Sequence, residues 1–282
     1  MVTTNLIGAV HIFFSVTAFL GNYLILVSLH KESSLHPPSK LLYRCLATTD
    51  LSVGLVAQPL HATLSFSHSW SLEDWRIFQY INDADIITSH MLCGVSLLTM
   101  TAISVDRLLA MLLGLRYRQI VTLKRTYIVL VNFWVLSLVA SLGTIFNYNV
   151  TFFHVIVILI CLVISITSYS KIFSALRHHQ AQVQDHSQQQ PSQPSALNVA
   201  RYRKAVYSAL WVQLALVVCY TPYGIVEIVL SKTYSSHLRV FREITIVLVY
   251  FNSTLNPCLY CWKISEVRQA VKRTIRQALC LP

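Results

Sequence analysis

The chain has 282 residues, of which 55% are hydrophobic and only 12% are charged, and its formal net charge is +11. This balance excludes an ordinary water-soluble domain, because a soluble core cannot absorb so much apolar surface. It favours an integral membrane protein, in which a hydrocarbon layer of roughly 30 Å requires about 20 apolar residues per spanning helix. The basic excess is typical of membrane topology and requires no nucleic acid as a partner.

Seven stretches that are long and apolar enough to span a bilayer follow one another along the chain. We predict helices over about residues 6–29, 41–65, 77–109, 126–146, 151–176, 204–230 and 240–262. The gaps between them leave no room for a soluble domain, so residues 1–282 are predicted to form one all-α domain. The first stretch is too long for the apolar region of a signal peptide, and we interpret it as a signal anchor.

The distribution of basic residues predicts which side of the membrane each loop faces. Lysine and arginine accumulate on the cytoplasmic side of membrane proteins. With the amino terminus outside, 18 of the 22 basic residues fall on the cytoplasmic side. We therefore predict a multi-pass protein of the plasma membrane, with its amino terminus extracellular and its carboxy terminus cytoplasmic.

Two segments on the cytoplasmic side are predicted from composition and periodicity. Residues 178–199 are rich in glutamine and poor in apolar residues, which predicts a flexible loop. After the seventh helix, apolar residues recur at three- and four-residue spacing with basic residues between them. This pattern predicts an amphipathic helix over about residues 264–279 that lies on lipid.

Two residues are candidates for covalent modification. Cys280 follows the amphipathic helix and is either a palmitoylation site or an ordinary free thiol. Asn149 begins the sequon Asn149-Val150-Thr151 in the second outer loop, which makes it a candidate glycosylation site close to the membrane.

The middle of the second predicted helix carries Asp50, at a depth where a carboxylate is costly. Insertion there costs roughly 2.5–3.5 kcal/mol, so the carboxylate requires partners or a function. The candidates to surround it are polar residues at similar depth on other helices: Asn22, Ser96, Asn252, Ser253 and Asn256. The group fits two interpretations, a pocket for a hard cation such as sodium and a hydrogen-bond network without an ion.

A second costly pair, Asp106 and Arg107, lies at the inner end of the third helix. Adjacent residues on a helix do not face each other, but a flexible arginine folds back on its neighbour or reaches another helix. From composition alone, Arg107 is interpreted as a snorkelling interfacial arginine. Pro222 and Pro257 fall inside the sixth and seventh helices, where a proline removes a backbone hydrogen bond and creates a candidate pivot.

Taken in chain order, these residues resemble the landmarks of the rhodopsin-like (class A) G-protein-coupled receptors. The landmarks are Gly21-Asn22, Leu46-Ala47-Thr48-Thr49-Asp50, Asp106-Arg107-Leu108, Trp134, Tyr169, Cys219-Tyr220-Thr221-Pro222 and Asn256-Pro257-Cys258-Leu259-Tyr260. Each motif alone is weak, but one per helix in the right order is specific. The resemblance covers nearly the whole chain and implies a seven-transmembrane bundle that couples an extracellular ligand to a heterotrimeric G protein.

The resemblance implies an allosteric sodium site as the sole cofactor, formed by Asp50, Ser96, Asn252 and Asn256. It also implies an activation switch, in which Arg107 contacts the G protein once it is released from Asp106. By the same resemblance, Tyr169 and Tyr260 look like the two tyrosines that close toward this arginine in the active state. The remaining members of the switch are the toggle residue beside the sixth-helix proline and the seventh-helix motif: Tyr220, Pro222, Asn256 and Pro257.

The sequence also departs from the family pattern at several positions. Leu108 replaces the usual tyrosine after the arginine, and Tyr220 replaces the usual tryptophan of the toggle position. Tyr202 replaces the acid that often pairs with the arginine, which predicts a lower barrier to activation and some signalling without ligand. Asn82, in the place of the usual cysteine, and a very short second outer loop are similar to the melanocortin, cannabinoid and lysophospholipid branch.

We infer the chemistry of the ligand from residues in the outer halves of the predicted helices. The candidate pocket residues are His61, Asp85, Ser89, His90, Tyr223, Glu227 and Tyr250. Their acids favour a cationic ligand, either a peptide or a small molecule, by charge complementarity. The resemblance to the melanocortin, cannabinoid and lysophospholipid branch makes a lipid a further candidate ligand. Ser89 stands where amine receptors carry an aspartate, which argues against a monoamine bound in the usual way.

Other classes of membrane protein are less consistent with the sequence. An opsin requires a lysine in the seventh helix, and none lies between Arg242 and Lys263. The main alternative is a small channel or transporter with Asp50 on the ion path, although internal repeats and other midplane charges are missing from the sequence. The chain is not predicted to be an enzyme, because no pair of catalytic groups occurs at matched depth.

Overall fold

The computed structural model of the chain describes residues 2–31, 35–67, 75–146, 149–187, 211, 214–233, 236–263 and 265–278. Within these ranges nearly every residue is helical and none lies in a β-strand. The all-α fold class predicted from the sequence is therefore confirmed.

Eight helices are described in these ranges. They are α1 (Val2–Lys31), α2 (Pro37–Ser52 and Gln58–Ser67, joined by a π-helical turn at Val53–Ala57), α3 (Trp75–Leu113), α4 (Leu123–Phe146), α5 (Asn149–Ser187), α6 (Leu214–Leu230), α7 (Ser236–Lys263) and α8 (Ser265–Ala278). A 3₁₀ turn, Gly114–Arg116, and one helical turn, Tyr117–Ile120, follow α3. Within the described residues, α1, α3, α4, α5 and α7 are long and apolar enough to cross a membrane.

The structure departs from the sequence-based boundaries at the end of α5. The range predicted as a flexible loop begins at residue 178, but α5 continues to Ser187. The segment lacks the apolar periodicity of a packed helix, which led to the loop prediction. Its three glutamines and one alanine between residues 178 and 187 nevertheless favour helix, and the first proline, Pro191, lies beyond Ser187.

Helix α3 lies at the centre of the bundle and packs against α2, α4 and α5, while α1 packs against α2, α7 and α8. The buried core includes Leu46, Leu97 and Leu216 from three different helices. Large apolar side chains cover the outward faces, as at Val139 of α4, which is 62% exposed. Lipid solvates such faces and water does not, so this pattern agrees with a multi-pass membrane protein.

The π-helical turn of α2 lies against the backbone of α1. A Cβ atom added to Gly54 would lie 2.8 Å from the carbonyl oxygen of Ser15. The Ser15 hydroxyl donates a 2.6 Å hydrogen bond to the carbonyl of Gly54. Only glycine permits this approach, which fixes the position of α2 beside α1.

Helix α8 matches the predicted amphipathic segment closely. Val267 and Val271 are buried against the core, and Lys31 of α1 donates to Gln277 at 2.7 Å. The basic residues Lys272 and Arg273 are exposed on the other side of the helix. This arrangement suits a helix that lies along a lipid surface.

Candidate functional site

The end of the bundle that carries Asp85 and Glu243 is here called the outer end, and the end that carries Asp106 and Arg107 the inner end. A cavity of about 700 Å³ lies at the outer end. Six of the seven predicted pocket residues line it: His61, Asp85, Ser89, His90, Tyr223 and Tyr250. The seventh, Glu227, is buried behind Arg242, which itself lines the cavity. Its deeper wall is apolar and includes Leu97, Leu136 and Val157.

Three acidic residues of the outer end, Asp85, Glu227 and Glu243, lie against histidine, arginine or hydroxyl side chains. Asp85 lies 3.1 Å from the Nδ1 atom of His61 and accepts a 3.1 Å hydrogen bond from Ser89. Glu243 lies 3.1 Å from the Nε2 atom of His61. Glu227 accepts a 2.6 Å hydrogen bond from Nε of Arg242. A cationic ligand would have to compete with these contacts, and its identity stays a prediction.

Two further pocket residues are held by local hydrogen bonds. The Ser89 hydroxyl lies 2.5 Å from the Tyr250 hydroxyl, which joins α3 to α7. The Nδ1 atom of His90 lies 2.8 Å from the carbonyl oxygen of Ile86, one turn earlier in α3. These bonds fix the ring orientations, so the polar wall of the cavity is preorganised.

Asp50 is fully buried in the middle of the bundle and accepts three hydrogen bonds. Ser96 and Ser253 donate to its Oδ1 atom at 3.0 and 2.9 Å, and Asn256 donates to Oδ2 at 2.7 Å. Asn252, predicted as a fourth member, instead directs its Nδ2 atom at the sulfur of Met100, 3.3 Å away. The sequence therefore located the cluster, but Ser253 rather than Asn252 contacts the carboxylate.

Several oxygen atoms around this cluster have no partner. The Oδ1 atoms of Asn22, Asn252 and Asn256 are buried and accept no hydrogen bond. Amide oxygens with unused lone pairs, beside a carboxylate and two hydroxyls, form the donor set that a hard cation prefers. The residues present therefore fit a sodium ion.

At the inner end, Asp106 is held by two hydroxyl groups. Tyr117 donates to its Oδ1 atom at 2.6 Å, and Ser39 of α2 donates to Oδ2 at 2.9 Å. Arg107 makes a longer contact of 3.5 Å with the same carboxylate. Neither Ser39 nor Tyr117 belongs to a landmark motif, so neither was predicted from the sequence.

Arg107 is covered by an aromatic residue that the sequence analysis also missed. Its guanidinium carbon lies 5.7 Å from the ring centroid of Tyr43, a cation–π distance. The Tyr43 ring in turn contacts Tyr260 edge to face at 5.2 Å. Tyr260 and Tyr169, the two predicted partners, are both buried, and the Tyr260 hydroxyl has no hydrogen-bond partner.

The two predicted pivots occupy helix interiors. Pro222 lies within α6, two residues after Tyr220, whose hydroxyl is 3.5 Å from the carbonyl of Cys93. Pro257 lies inside α7, and a Cβ atom added to Gly21 would lie 3.0 Å from its ring. The landmark glycine of α1 therefore makes room for the landmark proline of α7.

Some predicted features lie outside the described residues. These are Cys280, Tyr202 and most of the inner half of the sixth helix. Asn149 is the first residue of α5, and its side chain is not among those described.

Comparison with known proteins agrees with this arrangement. The chain matches the family model of the seven-transmembrane receptors (rhodopsin family) over residues 21–153 and 144–260. It is 25% identical to trace amine-associated receptor 7d of Mus musculus, over 94% of this chain and 80% of that protein. It is 24% identical to adenosine receptor A2a of Canis lupus familiaris, over 93% and 70% of the two chains.

It is also 23% identical to melanocortin receptor 5 of Mus musculus, over 96% of this chain and 84% of that protein. Three receptor types at nearly equal identity do not single out a branch, so the branch suggested by the sequence stays a prediction. The family match does not favour the alternative of a channel or transporter with Asp50 on the ion path.

Proposed function

Because the chain belongs to the rhodopsin family of seven-transmembrane receptors, we propose that it couples an extracellular ligand to a heterotrimeric G protein at the plasma membrane. As a receptor of this family it is not an enzyme. The observation that carries the proposal is that one helix, α3, contributes to all three polar sites: Asp85 and Ser89 at the cavity, Ser96 at Asp50, and Arg107 at the inner end.

The path from cavity to inner end supports a mechanical link. A ligand in the cavity contacts Ser89, which is bonded to Tyr250 of α7. A change in the relative position of α3 and α7 also changes the Asp50 cluster, because Ser96 and Asn256 come from these two helices. The same movement reaches Arg107, which is released from Asp106 to contact the G protein.

Signalling without ligand is part of the proposal. The sequence has Tyr202 where an acid often pairs with the arginine of α3. Among the described residues, Asp106 is the acid within 4.0 Å of Arg107, and this contact is long, at 3.5 Å. Arg107 is therefore weakly restrained. Basal G-protein activation no higher than that of empty vector would contradict this part of the proposal.

The Asp50 cluster is proposed to hold a sodium ion. Asp50, Ser96 and Asn256 would bind it together with the unpartnered amide oxygen of Asn252. The ion would supply positive charge to a buried carboxylate and stabilise the arrangement in which the helices surround it. The alternative, a hydrogen-bond network alone, predicts that stability does not respond to sodium.

The ligand is proposed to combine an apolar body with one polar end. The deep wall of the cavity is apolar, whereas His61, Ser89 and Tyr250 present hydrogen-bonding groups on one side. A cationic peptide or amine would have to displace His61 or Arg242 from their carboxylates, so an amphipathic small molecule or lipid agrees better with this cavity.

A ligand-library screen with reporters for several G-protein classes tests the proposal. The screen is run beside Arg107→Ala and a control, Arg76→Ala, in which an exposed arginine near the outer start of α3 is removed. We expect responses from the wild type and the control but none from Arg107→Ala at equal surface expression. A response that survives Arg107→Ala undiminished would contradict the role given to this residue.

The orientation is tested separately with one epitope at each terminus. On intact cells, antibody should label the amino-terminal epitope, and the carboxy-terminal epitope should require permeabilised cells. Labelling of both epitopes on intact cells would contradict an odd number of membrane spans.

A further inference from the structure

One buried histidine at the outer end lies between two carboxylates. His61 of α2 is 3.1 Å from Asp85 of α3 through Nδ1 and 3.1 Å from Glu243 of α7 through Nε2. The side chains of His61 and Asp85 are each 11% exposed, and that of Glu243 is 34% exposed. Three helices that form the wall of the cavity therefore meet at a single imidazole ring.

The number of protons decides whether both contacts are hydrogen bonds. A neutral imidazole carries one N–H group, so only one of its nitrogens donates. An ionised carboxylate only accepts. With a neutral ring and two carboxylates, one contact would place a nitrogen lone pair against a carboxylate oxygen. One additional proton turns both contacts into charge-assisted hydrogen bonds, which are about twice as strong as neutral ones.

The surrounding groups favour a positive charge on this ring. From α7, the Tyr250 ring makes a T-shaped contact with the His61 ring, with centroids 5.9 Å apart, and Arg242 lies 3.9 Å from Glu243 but is also bonded to Glu227 of α6. From α3, Ser89 donates to the second oxygen of Asp85. Arg242 is thus shared between two acids, and Asp85 has no other cationic partner among the described ion pairs.

The remaining neighbour, His11 of α1, cannot supply that charge. Its ring centroid lies 4.6 Å from that of His61, and both of its nitrogens are buried without a hydrogen-bond partner. A second imidazolium at this distance would repel the first and would have no acceptor. His11 therefore remains neutral, which leaves His61 as the proton carrier.

We propose that Asp85, His61 and Glu243 form a proton-binding site that ties together the outer ends of α2, α3 and α7. The partly exposed Glu243 gives the proton a route from the extracellular solution. While the proton is bound, the polar wall of the cavity keeps the described shape. Its loss leaves two carboxylates facing a neutral ring, and the three helices separate more easily. The consequence for signalling, dependence on extracellular pH, rests on the receptor function proposed above, whereas proton binding itself does not.

The sign of the pH effect follows from linkage. The folded receptor holds this proton, whereas the unfolded chain releases it as the pH rises through about 6.5, the ordinary value for histidine. The stabilisation is therefore fully present in mild acid and is lost as the solution becomes alkaline. A variant with a neutral, non-titrating side chain at position 61 lacks this contribution at every pH.

The test is the unfolding temperature of the purified full-length receptor between about pH 6 and pH 9, for the wild type, His61→Gln and His237→Gln. His237 is an exposed histidine at the outer start of α7 and serves as the matched control. The wild type should exceed His61→Gln by on the order of 2–4 °C at the acidic end, and the difference should shrink as the pH rises. A difference in unfolding temperature between the wild type and His61→Gln that is independent of pH would overturn the proposal. So would a pH dependence that His237→Gln loses to the same extent as His61→Gln.

A second measurement detects the proton directly in the wild-type receptor. In wild-type receptor with nitrogen-labelled histidine, one buried ring should remain doubly protonated near pH 8, after exposed histidines have lost their proton at about 6.5. Asp85→Asn should remove that signal. Spectra in which every ring is neutral near pH 8 would overturn the proposal. A pH-dependent unfolding temperature without any G-protein response would leave the proton site standing and count against the receptor function alone.

Discussion

The hydroxyl of Tyr117 provides the sharpest test of how Arg107 is restrained. It donates a 2.6 Å hydrogen bond to the buried carboxylate of Asp106, and Ser39 donates to the other oxygen. Tyr117→Phe removes this donor and keeps the ring, which is largely buried. The buried carboxylate then keeps one of its two hydroxyl donors, and the loss of the other destabilises the resting arrangement. The substitution therefore perturbs the switch without creating a cavity.

The magnitude follows from the charge of the acceptor. A hydrogen bond to an ionised group contributes about 1.5–3 kcal/mol. Ser39 still holds the other oxygen, so the lower end of that range applies. If activation breaks the Tyr117 bond, a loss of about 1.4 kcal/mol from the resting arrangement raises the ratio of active to resting receptor about tenfold.

The assay is ligand-free G-protein activation in cells, normalised to surface expression. We expect basal activity to rise in Tyr117→Phe. The rise approaches tenfold if only a small fraction of the wild-type receptor is active. Tyr127→Phe is the control, because Tyr127 is 61% exposed on α4. Unchanged or lower basal activity in Tyr117→Phe, at equal expression, would refute the idea that this hydroxyl stabilises the resting arrangement.

Three other predictions concern packing, the ion and lipidation. Gly54→Ala should lower the unfolding temperature by several degrees, because its Cβ would lie 2.8 Å from a backbone oxygen, at a cost of about 1–3 kcal/mol. The control Gly224→Ala should be tolerated, because its Cβ meets nothing nearer than 4.0 Å. Equal losses of unfolding temperature in the two variants would contradict the close approach of α2 to α1. Replacing choline chloride with sodium chloride should raise the unfolding temperature of the wild type but not of Asp50→Asn, and an equal rise in both would exclude the proposed ion site. Cys280→Ser should abolish incorporation of labelled palmitate, and retained label would place any acyl chain elsewhere.

The sequence predicted the features that depend on depth in the membrane. Asp50 was expected among polar residues of other helices, and Ser96, Ser253 and Asn256 do contact it. Depth follows from counting residues along an apolar stretch. Rotation about the helix axis does not, because a helix that is apolar on most sides has no strong amphipathic signal. This is why Asn252 was expected at the carboxylate but contacts Met100 instead.

Side-chain pairings between distant parts of the chain could not be predicted from the sequence for the same reason. His61 was expected in the pocket, but its bridging of Asp85 and Glu243 depends on the relative rotation of three helices. Tyr43 was missed because an aromatic residue at the inner end of a helix is an ordinary interfacial residue by composition. The structure shows its role only by placing the ring beside Arg107.

The central claim is that α3 carries a signal from the outer cavity to Arg107 and from there to a G protein. The most direct measurement is nucleotide exchange on purified heterotrimers of each G-protein class, catalysed by the purified receptor in lipid nanodiscs without ligand. We expect faster exchange with at least one class, lost in Arg107→Ala and retained in Arg76→Ala. Exchange that is no faster than with empty nanodiscs for every class, or equally fast with Arg107→Ala, would contradict it.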